Sequence, residues 1–306
     1  STINAARAIK DNAGDVYISG GVEHMTRGPW VMSKASKPFG RDSKLFDSSF
    51  GWRFINPKLD ALYGTEGMGS TAENLVEKYN LSRESQDQFA LWSQQKVFKS
   101  QEAGFFDDEI CSVEIPQRKK DPIVFSKDEF NRPNTTIESL AKLKPAFKKD
   151  GSVTAGNSSG LNDGAAALLI ASESGMKSQN LKPLVRIVSA AVAGVPPSIM
   201  GIGPVLASEK ALKRAGLSLN DMDILELNEA FSAQVLACTK KMGIEENDPR
   251  INPNGGAIAL GHPLGMSGAR ILLSAARQLH ISKKRYALVA MCIGVGQGYA
   301  TIIERV

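Results

Sequence analysis

Three side chains in the second half of the chain are of the types that move protons and hold developing negative charge: Asn228, His262 and Cys292. Asn228 lies in Leu227-Asn228-Glu229-Ala230-Phe231, where an apolar strand hands over to a helix. Strand ends of this kind are where α/β sheets put their active sites. Its amide can hold a water or an oxyanion, or it can simply cap the helix. His262 lies in Asn252–Arg270, a stretch with five glycines and two prolines in nineteen residues. Glycines let backbone approach a ligand, and a helix that follows directs free N–H groups toward it. A histidine held there is a candidate acid, base or oxyanion donor; the plainer reading is a tight turn with a solvated ring. Cys292 ends an apolar run and precedes Gly294-Val295-Gly296. It reads either as a small core residue or as a thiol whose pKa is lowered by the following glycine amides, which also form an oxyanion pocket.

An oxyanion donor that stabilises an enolate, beside a thiol or imidazole that moves the proton, is the equipment of carbon-acid chemistry. Val153–Gly164, polar and glycine-rich, reads as a binding loop for such a site. Two other chemistries fit poorly. GNSSG at 156–160 matches the nucleophile pattern of Ser-His-Asp hydrolases, but no apolar strand leads into it and a strand, not a helix, follows. No GxGxxG opens a helix after a strand, which argues against a dinucleotide site.

The elements that must position these residues alternate as strand and helix. Helix is predicted at the very start, with Ile3, Ala6 and Ile9 on one face, then a strand at Asp15–Ser19 ending in Gly20-Gly21. From about 26 to 152 the composition turns to Gly, Pro, Ser, Asp and Lys, an inserted lobe with helices at Ser70–Tyr79 (Ser70 and Thr71 as caps) and Ser82–Ala103, and short strands at Cys111–Ile115 and Ile123–Phe125. Regular patterning resumes with strands at Ala165–Ile170, Val185–Ala193, Asp223–Leu227, Arg285–Cys292 and Gln297–Glu304. Helices are predicted at Val205–Ala215, Ala230–Met242 and Ser267–Leu279. This is a layered α/β pattern.

Ala5–Ile9, a polar turn, Val16–Ser19 and Gly20-Gly21 echo Ala275–Leu279, a polar turn, Tyr286–Ala290 and Gly294-Val295-Gly296. The echo predicts two similar halves, 1–181 and 182–306, the first interrupted by the lobe at 26–152. The first copy opens inside its helix with no counterpart of the histidine loop, and falls roughly 70 residues short of the second. An N-terminally truncated chain is therefore expected.

Bulk properties narrow the partners. The net charge of +5 arises from 37 basic and 32 acidic residues spread along 306, which suits a polyanionic small substrate better than nucleic acid. No run of eighteen apolar residues predicts a membrane span, and the start has no signal-peptide pattern. Three widely spaced cysteines predict neither a disulfide framework nor a zinc site, which makes a reducing, cytoplasmic setting the expectation.

The motifs NEAF at 228–231, GGAIALGHPLGMSGAR at 255–270, CIGVGQG at 292–298 and TAGNSSGLNDGAAA at 154–167 closely resemble those of the thiolase family, CoA-dependent acyltransferases, in the family's order and over essentially the whole chain. The resemblance implies two α/β halves stacked as five layers (αβαβα), with a loop domain inserted in the first. It implies that His262 activates the nucleophilic cysteine and, with a water on Asn228, stabilises a thioester enolate, that Cys292 moves the α-proton, and that the Gly294 amide contributes to a second oxyanion hole. Phe147, Ala155, Ser159, Ala230 and Phe231 would line the pantetheine channel, Arg132 would meet the adenine end of CoA, and Met68 would face the acyl group. Gly67-Met68-Gly69 stands where the family often has His-Met-Gly, so a histidine contact to substrate is expected to be missing. The acyl-accepting cysteine of the family lies in a Cys-x-Ser-Gly turn, and none of Cys111, Cys238 or Cys292 lies in one. The 306-residue chain alone is thus expected to be inactive in thiolysis. GWRFINP at 51–57, Tyr63-Gly64-Thr65 and CIGVGQG resemble the family branch that cleaves 3-oxoadipyl-CoA, with Arg27 or Arg53 as candidate cations for its distal carboxylate. Acetoacetyl-CoA thiolysis, or CoA binding without catalysis, is the alternative. The resemblance implies no resident cofactor or metal, coenzyme A and acetyl-CoA as substrates, and a homodimer or homotetramer. Exposed apolar surface and unpaired strand edges in the short first sheet are the expected cost of truncation.

Overall fold

The computed structural model describes every residue except Phe50. The elements are α1 (Thr2–Lys10), β1 (Val16–His24), β2 (Trp30–Met32), β3 (Leu45–Asp47), α2 (Pro57–Tyr63), α3 (Met68–Tyr79), α4 (Arg83–Glu102), β4 (Val113–Ile115), β5 (Ile123–Phe125), α5 (Ile137–Ala141), β6 (Asp163–Ala171) and α6 (Glu173–Ser178). There follow β7 (Val185–Gly194), a 3-10 turn at Pro197–Ile202, α7 (Gly203–Ala215), β8 (Ile224–Leu227), α8 (Ser232–Met242), α9 (Ala257–Leu260), α10 (Leu264–Ser282), β9 (Tyr286–Ile293) and β10 (Gln297–Arg305).

Two sheets sandwich one helix. β1 and β6 form an antiparallel pair, and β7-β10-β9-β8 a mixed sheet in which β8 and β9 run parallel. α10 packs against β1 and β6 on one side and β8, β9 and β10 on the other. α1 lies beside α10 on the same face of the small sheet, where Thr2 Oγ1 meets Ser19 Oγ at 3.0 Å, and α7 covers the far face of the large sheet, so the layers run β, α, β, α and the outer α layer expected over β1 and β6 is missing among the described residues. α10 can serve both sheets because it is apolar on more than one side: Ile271, Leu272, Ala275, Ala276 and Leu279 are buried. β8 (Ile-Leu-Glu-Leu) is buried at every position, as a strand covered on both faces must be. Its free edge is covered in turn, since Leu225 N–H donates to Arg250 O and Asn252 N–H to Leu225 O, both at 2.9 Å. Burying side chains such as Leu288 and Ile302 stabilises the sheet by about 1.5–3 kcal/mol each.

Several boundaries differ from the sequence reading. β1 does not end at Gly20-Gly21 but runs through both to His24, paired with β6 along its whole length. The glycines are needed there: a Cβ on Gly21 would sit 1.8 Å from the carbonyl oxygen of Gly265 in α10, so no other residue lets strand and helix approach this closely. α3 starts at Met68 with Gly67 as N-cap, so Ser70 and Thr71 lie inside the helix rather than capping it. α8 starts at Ser232 with Phe231 at the N-cap position, two residues later than expected, because Ala230 and Phe231 are spent in the turn that meets Ser158 and Ser159. α10 starts three residues before Ser267, and β4 begins at Val113 rather than Cys111. The β2–β3 ladder and α2 carry no periodicity long enough to be read from the sequence. The β1–β6 ladder leaves Ile18 and its partner Leu169 exposed, as expected for a short first sheet.

Candidate active site

Asn228 directly follows β8, and its N–H donates to the Ala290 carbonyl of β9 at 3.0 Å. That bond puts the Asn228 side chain beside the strand whose last turn carries Cys292. Asn228 is not a helix cap, because α8 begins four residues later. Its Nδ2 lies 3.2 Å from Nε2 of His262, and its Oδ1 is buried without a partner. The histidine ring is held from behind by Ser267, whose Oγ lies 2.6 Å from Nδ1. The loop that carries it is fixed by a φ of +93° at Gly261, where a Cβ would collide with Asn162 at 2.3 Å, and by the His262 N–H, which reaches Gly160 O at 3.4 Å. Thus the histidine loop and the Val153–Gly164 loop, separate in sequence, share one wall.

Burial and the nearby Arg270 guanidinium hold the His262 imidazole down at about 4, so the ring is neutral at pH 7. The Cys292 thiol is not lowered by the glycine amides that follow it: burial dominates and pushes it up to about 12, so it stands as a protonated acid. A protonated thiol beside a neutral imidazole and an amide can deliver a proton to a carbanion whose oxygen the other two hold.

Most of the expected binding residues gather around this centre. Ser159 N–H and Oγ–H both donate to the Ala230 carbonyl, at 3.0 and 3.1 Å. Phe147 packs edge-on against Phe231 with ring centroids 5.9 Å apart, and Gly69 leaves room for Phe147. The Met68 sulfur stands 3.8 Å from where a Cβ on Gly294 would lie, so it faces the turn after Cys292. Arg132 reaches the same wall from outside: its guanidinium lies 5.9 Å from the Phe130 ring, which fills the space that a Cβ on Gly160 would take. Ala155 is exposed at the start of its loop. Arg27 and Arg53 are exposed, and the Arg53 guanidinium donates to the Gly51 carbonyl, so neither meets the centre directly.

The residues that hold the centre together were not singled out from sequence. Glu229, buried beside Asn228, accepts from Ser93 Oγ–H at 2.6 Å, Asn252 Nδ2–H at 2.8 Å and Ile258 N–H at 3.1 Å. Asn157, also fully buried, accepts Thr154 N–H at 2.8 Å and donates to Asp87 at 2.9 Å, which shapes the binding loop. A carboxylate directly after Asn228, between the apolar strand and Ala230-Phe231, was the available signal for Glu229. Among the described residues no cluster of histidine, cysteine and acidic side chains is placed to hold a metal ion. No helix of the described residues is long and apolar enough to cross a membrane.

Residues 1–174 match the model of the thiolase N-terminal domain and residues 181–305 that of the thiolase C-terminal domain. The chain is 55% identical to a beta-ketoadipyl-CoA thiolase of Acinetobacter baylyi over 99% of its own length and 75% of the relative's. It is 54% identical, with the same coverage, to an Escherichia coli 3-oxoadipyl-CoA/3-oxo-5,6-dehydrosuberyl-CoA thiolase. The structure superposes on human mitochondrial 3-ketoacyl-CoA thiolase with a TM-score of 0.91 at 44% identity, covering all of this chain and 76% of that one. A CoA complex of that human enzyme superposes equally well, over 74% of its length.

Proposed function

Because the chain belongs to the thiolase family, we propose that it carries the enolate-stabilising and proton-transferring part of a thiolase site that acts on 3-oxoadipyl-CoA. In that reaction a thiolate attacks the C3 ketone of the substrate. The C2–C3 bond breaks, and its electron pair passes into the enolate of acetyl-CoA. The enolate oxygen is held by His262 Nε2–H and by a water on Asn228. The Cys292 thiol gives its proton to C2, which releases acetyl-CoA; the thiolate left behind takes the proton of the CoA thiol, whose sulfur then attacks the four-carbon acyl group and expels the first thiolate. The Gly294 amide holds the oxygen of the tetrahedral species at C3. Arg132, Phe147, Ala155, Ser159, Ala230 and Phe231 hold coenzyme A, and Met68 faces the acyl chain. The observation that carries this reading is the 3.2 Å approach of Asn228 Nδ2 to His262 Nε2 just past the end of β8, whose partner β9 carries Cys292 two residues beyond the last paired position, Ala290.

None of the three cysteines suits the attacking role. Cys111 is exposed on the inserted lobe, Cys238 is buried inside α8, and Cys292 is the proton donor. The nucleophile must come from elsewhere, and the 306-residue chain on its own completes no thiolysis. Coenzyme A is substrate here and not a resident cofactor. We further propose the division at 181/182 with a lobe at about 26–152, assembly as a homodimer or homotetramer, and a cytoplasmic setting.

The 3-oxoadipyl group ends in a carboxylate, which calls for a cation. Trp52 Nε1–H donates to the Glu66 carbonyl at 3.1 Å, which anchors the segment carrying Arg53 two residues before Met68. Arg53 is therefore the better of the two candidate cations, with Arg27 the alternative. Calorimetric titration of the chain with 3-oxoadipyl-CoA and acetoacetyl-CoA tests the assignment. Tighter binding of the first, lost in Arg53→Ala, is expected; preference for acetoacetyl-CoA would overturn it.

A further inference from the structure

We infer that Arg83 is a positioning residue for coenzyme A: its guanidinium ties together the two loop walls between which the pantetheine arm is proposed to lie. The inference deepens the thiolase reading and rests on it for the identity of the ligand.

The first wall is the loop that carries Ala155 and Ser159. Arg83 opens α4, and its Nε–H donates to Asp87 Oδ2, one helical turn on, at 2.9 Å. Asp87 is buried, and its other oxygen accepts Asn157 Nδ2–H at 2.9 Å. Asn157 is fully buried in that loop. Its Oδ1 accepts Thr154 N–H at 2.8 Å, and its carbonyl accepts Ser232 N–H at 2.9 Å. One arm of the arginine thus reaches the loop through two buried side chains.

The second wall is the segment from Leu140 to Phe147. Arg83 Nη2–H donates to the Leu140 carbonyl at 2.7 Å and to the Leu143 carbonyl at 3.1 Å. Carbonyls at the end of a helix have no partner within it, and here the arginine supplies one. The two walls meet at Gly156, where a Cβ would stand 2.5 Å from Leu143 Cδ1 and 2.6 Å from Leu140 Cδ2. Ala146 N–H donates to Val153 O at 2.9 Å, one residue before Phe147. Among the described residues no helix or strand lies between α5 and β6, so side chains have to set the spacing of these walls.

Arginine suits this task and lysine does not. A guanidinium offers five donors in a rigid plane, enough for a carboxylate and two carbonyls at once, whereas an ammonium is one compact centre. Arg83→Lys can keep the charge beside Asp87 only by giving up the carbonyls. Arg83 bonds to none of Asn228, His262 and Cys292, so its loss should loosen the hold on coenzyme A and spare the chemistry at the thioester.

Two measurements on the whole 306-residue chain separate hold from chemistry: calorimetric titration with acetyl-CoA, and the rate of its α-proton exchange at saturation in deuterium oxide. In Arg83→Lys the Kd should rise about tenfold, as loss of a hydrogen bond to a charged donor allows, with the saturating rate within about twofold of wild type. A wild-type Kd in folded Arg83→Lys overturns the inference, and so does a fall in the saturating rate at unchanged Kd. Hydrogen exchange of the wild-type chain tests it independently of the variant. CoA should slow exchange in 140–147 and 152–159 together; protection of one wall alone, or of neither, overturns the inference whether or not the variant folds. Acetyl-CoA that protects both walls but exchanges no α-proton removes the thiolase reading and leaves the clamp standing, whereas α-proton exchange with unprotected walls does the reverse.

Discussion

The Glu229 carboxylate accepts the backbone N–H of Ile258 at 3.1 Å, and this one bond joins the turn that carries Asn228 to the helix that leads into His262. The same carboxylate takes Ser93 Oγ–H from α4 and Asn252 Nδ2–H from the strand-edge loop. Gly256 makes the approach possible, since a Cβ there would stand 2.4 Å from the Glu229 carboxyl carbon. The two groups proposed to hold the enolate oxygen are thus positioned by a side chain that touches neither oxygen nor substrate.

Glu229→Ala should accordingly destabilise the fold as well as the site. It strands three donors, two of them buried side chains, and each unsatisfied buried donor costs about 1–3 kcal/mol. A loss of about 3 kcal/mol or more in urea unfolding is expected. Glu229→Gln keeps the shape but points an NH2 group at these donors, and should be only partly better. Unfolding midpoints equal to wild type would show that the carboxylate is dispensable.

The cysteines should differ sharply in reactivity. Alkylation needs the thiolate. Cys111 is exposed, while burial pushes Cys292 up to about 12 and Cys238 higher still. At pH 8, iodoacetamide should label Cys111 first, and Cys292 roughly tenfold slower or worse. Peptide mass spectrometry of a time course reads this directly. In urea the three should react alike, and fast labelling of Cys292 in the folded chain would contradict its role as a protonated acid.

Glu109 predicts a pH dependence of stability. It accepts Ser274 Oγ–H at 3.0 Å and lies 3.4 Å from Arg277 Nε, yet burial dominates and raises its pKa to about 7. A carboxyl with a raised folded pKa favours the folded state while both states are protonated. The unfolded chain ionises first as pH rises, near 4.5, so this contribution is lost between about pH 4.5 and 7. Glu109→Gln cannot titrate, and its stability should fall less steeply over that interval. The difference should be at most about 3 kcal/mol across the interval. Urea midpoints for the two chains at matched pH values check it; parallel curves would mean that Glu109 ionises normally.

What could be read from the sequence was what lies together in it. Asn228, His262 and Cys292 each follow an apolar run and sit among glycines or at a strand–helix turn, so chemistry and element boundary coincide. The alternation of strands and helices after Val153 was legible for the same reason, as most elements there are long and apolar; the short α6 and α9 were not. The supporting contacts were hidden because they span the chain: Ser93 and Glu229 are 136 residues apart, and Asp87 and Asn157 are 70 apart. Gly20-Gly21 was misread as a strand end because glycine normally interrupts strands. Here its lack of a side chain is what lets α10 lie against β1. Ser267 was passed over because a serine near a helix start reads as a cap, while its hydroxyl is turned back to a histidine five residues earlier.

Cys292, His262 and Asn228 are proposed to act together on the α-carbon of a CoA thioester, and proton exchange tests that without any nucleophilic cysteine. The 306-residue chain is incubated with acetyl-CoA in deuterium oxide, and deuterium in the methyl group is followed by NMR. Incorporation faster than in buffer is expected, with a loss of about 10²-fold in Cys292→Ala, the low end of what a positioned acid or base contributes. Wild-type exchange at the buffer rate, or Cys292→Ala exchanging as fast as wild type, would contradict it.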